Sequence, residues 1–356
     1  MKKTLAMVLT AGMVATMLGG CSSGGSSTPA TTAAAGGTTQ AASNTAASGD
    51  VVKLSLATKV AADSFEGKSF QDFADLVKEY TNGTVEVTVY PSEQLGDSTT
   101  VVSNMQLGTV DMYCEGGIFY LGYGVDTGIC SYPFLFDSWD KYEEIVKGDF
   151  GKLQEQQLES AGFKLINTNR DWRRGPYYVT CSTKPITSVA DLKAMRLRSA
   201  DSPVFMEAMK SLGVTTTVVN YSECYMALQQ GQVDAVNCPI SNVESMAFYE
   251  VGPYVTRMDC YPAELWMVMN LNKFNSLTAD QQDALIRAAN DAATHSNEII
   301  EKDVDDMIAR LEAKGGVTFD LDFDDSIFAD ALKDYYKGLA AKGEFNEIIV
   351  KELGLN

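Results

Sequence analysis

Two arginines in the run Met195 to Pro203, MRLRSADSP, carry the chemistry from which the rest of the chain can be reasoned. Arg196 and Arg198 alternate with Met195 and Leu197, a strand period that puts both guanidinium groups on one face. Asp201-Ser202-Pro203 then marks a helix start, a capping side chain followed by proline at the first helical position. A guanidinium matches a carboxylate through two parallel N–H bonds, and a helix N-terminus adds oriented N–H groups, so this pairing suits carboxylate capture. Other residue types narrow the chemistry by what they lack. His295 is the one histidine, expected to be structural, so no histidine-rich metal site is possible. The seven cysteines show no C-x-x-C spacing, which argues against zinc, and sequence does not decide how the six after Cys21 pair. Glycines between Gly116 and Gly128 fit neither a P-loop nor a dinucleotide fingerprint; with Phe119, Tyr120 and Tyr123 they describe an irregular, ring-lined wall. No metal and no cofactor is expected.

The elements that would position these residues follow from periodicity. Phe205, Ala208, Met209 and Leu212 form an apolar helical stripe that Gly213 stops. Val214–Val219 is β-rich, Ser222 is placed to cap a short helix ending at Gly231, and Val233–Val236 returns to strand spacing. This β-α-β-α-β pattern favours a parallel sheet, whose ligands lie beyond the carboxyl ends of the strands, where Arg198 and Cys238 emerge. A second βαβ unit runs from Val52, Leu54 and Leu56 through Phe70, Phe73, Ala74 and Val77 to Val85, Val87 and Val89. A helix from Asp97 to Leu107 and a strand from Val110 to Cys114 then deliver Glu115 toward the same cleft. Leu265–Leu271 forms a returning strand. A capping box at Thr278 and Gln281 opens a long helix whose stripe, Leu285, Ile286, Ala289, Ile299, Ile300, Val304, Met307 and Leu311, lasts to Gly315-Gly316. Phe323–Leu353 adds amphipathic helices.

The core run resembles the solute-binding proteins of TRAP transporters, the DctP family. The resemblance rests on Arg196-Leu197-Arg198, Ser202-Pro203, Glu223, Tyr225, Ala227-Leu228-Gln229, Gly231, Val233-Asp234 and Pro239 in matching order. It extends through Tyr90-Pro91-Ser92, Gln94-Leu95-Gly96, Leu107-Gly108, Pro133-Phe134-Leu135-Phe136 and Phe248-Tyr249-Glu250-Val251. It implies an α/β, two-lobed periplasmic-binding-protein-like fold with a ligand cleft between lobes and a long helix crossing both. Residues 50–175 with 264–303 would form lobe I, and 176–263 with 304–356 lobe II. It also implies a monomer that binds a small organic acid and hands it to membrane permease subunits, with no catalysis. A cysteine-based enzyme is the rejected alternative, since neither a triad nor a cofactor fingerprint is present. The same fold serving as a ligand-loaded sensor for a membrane kinase is the second alternative.

By resemblance, Arg198 anchors the carboxylate, Arg196 is structural and Tyr221 lies against the ligand. Two departures bear on the ligand: Cys238 stands where relatives carry a carboxylate-holding amide, and Tyr178 stands where they carry a second arginine. A one-residue slip in the alignment would make the latter Tyr177. One strongly held carboxylate is therefore expected, with Glu115, Tyr178 and Tyr221 meeting a polar, cationic or aromatic remainder. The cation-rich run Asn169–Gly175 suits a solvated loop pairing with nearby acids, with Trp172 stacking at the cleft edge.

At the start of the chain, Lys2-Lys3, an apolar stretch from Leu5 to Met17 and Leu18-Gly19-Gly20-Cys21 suit a lipoprotein signal with lipid attached at Cys21. The apolar stretch falls short of the roughly 20 residues a spanning helix needs. Ser22–Gly49 is a Ser, Gly, Thr and Ala tether with no apolar face to bury. The expected location is extracytoplasmic, lipid-anchored to the outer face of the cell membrane. With 28 basic against 47 acidic residues, the net charge of −19 repels nucleic acid and anionic lipid. Capture of an anion must then be local.

Overall fold

The computed structural model describes residues 50–136 and 138–356; the lipoprotein signal, Cys21 and the tether lie outside the described residues. Eleven strands are described: β1 (Val52–Ala57), β2 (Val85–Tyr90), β3 (Met112–Glu115), β4 (Phe163–Leu165), β5 (Tyr178–Ser182), β6 (Arg196–Ser199), β7 (Thr215–Val218), β8 (Ala235–Pro239), β9 (Tyr254–Arg257), β10 (Trp266–Asn270) and β11 (Thr318–Asp320). They form two sheets, ordered β2-β1-β3-β10-β4 and β11-β9-β5-β8-β6-β7. Both βαβ units pair in parallel, β1 with β2 and β6 with β7 and β8. The strands that pass between the sheets' halves of the chain run the other way, β10 antiparallel to β3 and β4, β5 antiparallel to β8 and β9.

Local chemistry accounts for the elements that aim at the cleft. Ser202 accepts from the Phe205 N–H and Pro203 occupies the first turn of the helix Pro203–Ser211, which buries Phe205, Ala208 and Met209. Ser222 does not cap a helix. It lies inside a 3-10 turn, Tyr221–Glu223, before the helix Cys224–Gln229, and its hydroxyl is engaged by Glu93 instead. The capping box at Thr278 and Gln281 is formed and starts a helix of 36 residues, Ala279–Lys314. Its first half, Leu285 to Ala293, packs in the core of the first sheet, and Val304, Met307 and Leu311 pack in the core of the second. Ile299, expected in that stripe, is 53% exposed, because the buried positions Ser296, Ile300 and Val304 define a line one residue, about 100°, away from it. Among the described residues no helix is long and apolar enough to cross a membrane.

A third apolar cluster joins the two halves. Phe328, Leu332 and Tyr336 of the helix Ser326–Ala341 meet Phe134 and Tyr132, with Phe134 stacked on Phe328 at 5.1 Å. The C-terminal helices, expected with the second sheet, therefore also hold the segment that follows β3.

Candidate functional site

The carboxyl ends of β1, β3 and β6 converge on a cavity of about 80 Å³ that both sheets help to wall. Arg198 enters from β6 and is 9% exposed. Its Nε–H donates to the Val219 carbonyl at 2.9 Å, and its Cζ lies 5.2 Å from the Tyr221 ring centroid. No carboxylate among the described residues pairs with it. Arg196, two residues earlier, is half-exposed and donates through Nε and Nη2 to Asp234, each at 2.8 Å.

Opposite Arg198 the first sheet supplies a buried ionic network. Arg174 pairs with Glu66 at 3.1 Å and with Glu115, and its Nε–H donates to the Glu264 carbonyl at 3.0 Å. Lys59, two residues beyond the end of β1, pairs with Glu115 and lies 5.0 Å from the Tyr221 centroid. Burial, and then the charges of Arg174 and Arg198, hold the Lys59 amine well below the usual lysine range. Burial pushes the Glu264 carboxyl up to about 7, against hydrogen bonds from the Gly117 N–H and Trp266 Nε1–H. Three basic side chains, Lys59, Arg174 and Arg198, stand here with the carboxylates Glu66 and Glu115 and the raised carboxyl of Glu264. An anion entering beside Arg198 offsets its repulsion of the Lys59 ammonium.

Of the residues singled out in the sequence, Arg198, Glu115 and Tyr178 line this cavity. Tyr221 lies at its mouth, its ring facing Lys59 and Arg198 and its hydroxyl accepting from Asn242 Nδ2 at 2.9 Å. Strand alternation separates the two tyrosines that alignment leaves ambiguous: Tyr178 faces the cavity, while Tyr177 lies under Arg257 in another groove. Trp172 and Cys238 are not brought to the cavity. Trp172 packs edge-on against Phe70, 5.7 Å away, in the core of the first sheet. Cys238 is fully buried with its Sγ 3.9 Å from that of Cys181 in the core of the second, because its position in β8 turns the thiol away from the cleft. The six cysteines after Cys21 are all free and buried. The cation-rich run is not a solvated loop either: Arg170 is buried against Trp266, with Cζ 4.5 Å from the ring, and Arg174 reaches the cavity.

Sequence reasoning missed Lys59, Glu66, Arg174 and Glu264. The rule that ligands lie beyond strand carboxyl ends pointed at Lys59, directly after β1; Glu66 and Glu264 come from a helix and a loop, and no local pattern announces them. Glu93 closes the mouth from the first sheet's side, accepting from the Ser222 hydroxyl and, at 3.4 Å, the Ser222 N–H. Among the described residues no three His, Cys, Asp or Glu side chains are grouped to hold a metal.

A two-sheet α/β protein with a cavity between its halves, into which a buried arginine without a carboxylate partner among the described residues projects, has the build of a binding protein for a small anionic solute. Residues 56–342 match the model of the bacterial extracellular solute-binding proteins, family 7, and the chain belongs to this DctP family of TRAP solute-binding proteins. It is 28% identical over 270 residues, 76% of this chain and 81% of the relative, to the 2,3-diketo-L-gulonate-binding periplasmic protein YiaO of Escherichia coli K12. It is 27% identical over 274 residues, 77% of this chain and 81% of the relative, to the C4-dicarboxylate-binding periplasmic protein DctP of Rhodobacter capsulatus. Among solved structures, a TRAP periplasmic solute-binding protein of Roseobacter denitrificans with bound L-galactonate superposes with a TM-score of 0.76 at 26% identity, covering 86% of this chain and 99% of that one. The protein is thus an extracytoplasmic binding component of transport and not an enzyme.

Proposed function

We propose that this protein captures a small organic monocarboxylate in the cavity between its sheets and delivers it, as a lipid-anchored monomer, to a TRAP membrane permease. The observation that carries the proposal is Arg198, a buried guanidinium that faces the cavity and that no carboxylate among the described residues pairs with. Buried charges are ordinarily paired, so the missing partner is the ligand's carboxylate. One cation without a protein carboxylate matches one ligand carboxylate better than two. Arg174, the cavity's other arginine, is already paired with Glu66 and Glu115, which points the same way, and the remainder of the ligand meets the hydroxyl of Tyr178, the ring of Tyr221 and the carboxylate of Glu115. Relatives named for 2,3-diketo-L-gulonate and L-galactonate support an acid with polar substituents. The lipid anchor rests on the sequence Leu18-Gly19-Gly20-Cys21 alone.

A thermal-shift screen of sugar acids, hydroxy acids, keto acids and dicarboxylates tests this. A ligand that binds only the folded state at about 100 times its Kd stabilises by roughly 2.7 kcal/mol. Monocarboxylates bearing hydroxyl or keto groups are expected to raise the melting temperature most. If succinate or malate proves tightest, the charge argument fails.

A further inference from the structure

Residues 173–178 and 257–264 form a wall shared by two grooves. Along the first segment neighbours part company: Arg174 and Tyr178 face the ligand cavity, whereas Arg173 and Tyr177 line a groove of about 260 Å³ on the other side. Tyr261 and Pro262 belong to both. The second groove combines four rings, Phe136, Trp139, Tyr177 and Tyr261, with two guanidinium groups. Each guanidinium lies over a ring, Arg173 with its Cζ 4.6 Å from the Trp139 centroid and Arg257 with its Cζ 4.5 Å from the Tyr177 centroid. Cation–π attraction holds each guanidinium over its ring.

The two arginines differ in their partners. Arg257 donates to Asp259 at 2.9 Å. Among the described residues the Arg173 guanidinium has neither a hydrogen-bond acceptor nor an ion-pair partner, and the Trp139 indole N–H is buried with no acceptor. Among the described lining residues two arginines stand with one aspartate.

We propose that this groove is a second ligand site, separate from the transport cavity, for a monoanionic carboxylate with a flat apolar body. The free Arg173 fork takes the carboxylate, and the rings of Trp139, Tyr177 and Tyr261 cover the body. A small, strongly hydrated anion without such a body leaves those rings uncovered and binds worse.

Benzoate is the probe, titrated by calorimetry into the full chain, with acetate as the carboxylate lacking a ring and benzyl alcohol as the ring lacking a charge. Benzoate is expected to bind at least tenfold tighter than either. Arg173→Gln should weaken it tenfold or more while Arg198→Lys leaves it unchanged. Tyr177→Leu, which keeps both charges, should weaken it too, so that the result does not depend on one variant folding. In crystals soaked with 4-bromobenzoate the bromine should lie between Trp139 and Tyr177. Unchanged affinity in Arg173→Gln, loss of binding in Arg198→Lys, parity with acetate, or binding at crystal concentration only would each overturn the proposal.

Discussion

Replacing Arg198 by lysine keeps the charge and removes the geometry. The substitution deletes the Nε–H bond to the Val219 carbonyl and the planar fork, leaving a point charge on a flexible stem. Because Arg198 has no protein carboxylate, the ligand-free protein loses only that one bond, roughly 0.5–1.5 kcal/mol. The complex loses far more. Weakening one partner of a buried, hydrogen-bonded charge pair costs about 2–5 kcal/mol, which at about 1.4 kcal/mol per factor of ten is a loss of roughly 30- to 4,000-fold in affinity. Arg196→Lys is the matched control: its pair with Asp234 is half-exposed, and exposed pairs contribute about 0–1 kcal/mol, so binding should be unchanged. Calorimetry with the tightest acid from the screen gives the affinities, and urea denaturation of the ligand-free variants gives the stabilities. Wild-type affinity in Arg198→Lys, or loss of binding in Arg196→Lys with the fold intact, would refute the assignment of the anchor.

Three further outcomes are expected. Glu264, whose folded-state value is raised to about 7 from an ordinary 4.5, keeps a proton in that window that the unfolded chain has lost, so its own contribution to stability is full below about pH 4.5 and is lost as pH rises through 7. The wild type should lose about 3 kcal/mol relative to Glu264→Gln across that window, and parallel pH profiles of denaturant midpoints would count against the burial argument. Glu115→Gln removes one negative charge from the cavity and should shift preference from monocarboxylates toward dicarboxylates in paired titrations; it should also destabilise by about 3–5 kcal/mol, since Arg174 and Lys59 lose a shared buried partner. Cys21→Ser should move the protein from the membrane fraction to the soluble one or block its processing, and unchanged membrane retention would exclude the lipid anchor.

Much of the frame is set by short-range chemistry, and the sequence determined it. Period-two alternation in Val52–Leu56 and Val85–Val89, the Ser202-Pro203 helix start and the capping box at Thr278 and Gln281 each act within a few residues, where steric and hydrogen-bond preferences operate without the rest of the fold. Arg198 was legible for the same reason: a strand ending in arginine just before a helix N-terminus is a local arrangement. What the tertiary structure decided is the company that arginine keeps. Glu66, Glu115, Arg174 and Glu264 come from a helix, a strand and two connecting segments, and only packing shows that Arg174 uses up the carboxylates while Arg198 is left free. Periodicity fixes the face of a strand but not what lies against it. Hence Tyr178 and Tyr177 could not be told apart before the wall between the two grooves was seen, and Trp172 and Cys238, chemically plausible in the cleft, are buried in the cores where apolar area and a small thiol pack best. The cavity's charge balance is a sum over residues far apart in the chain, and burial, which sets the weight of each charge, exists only once the chain has folded.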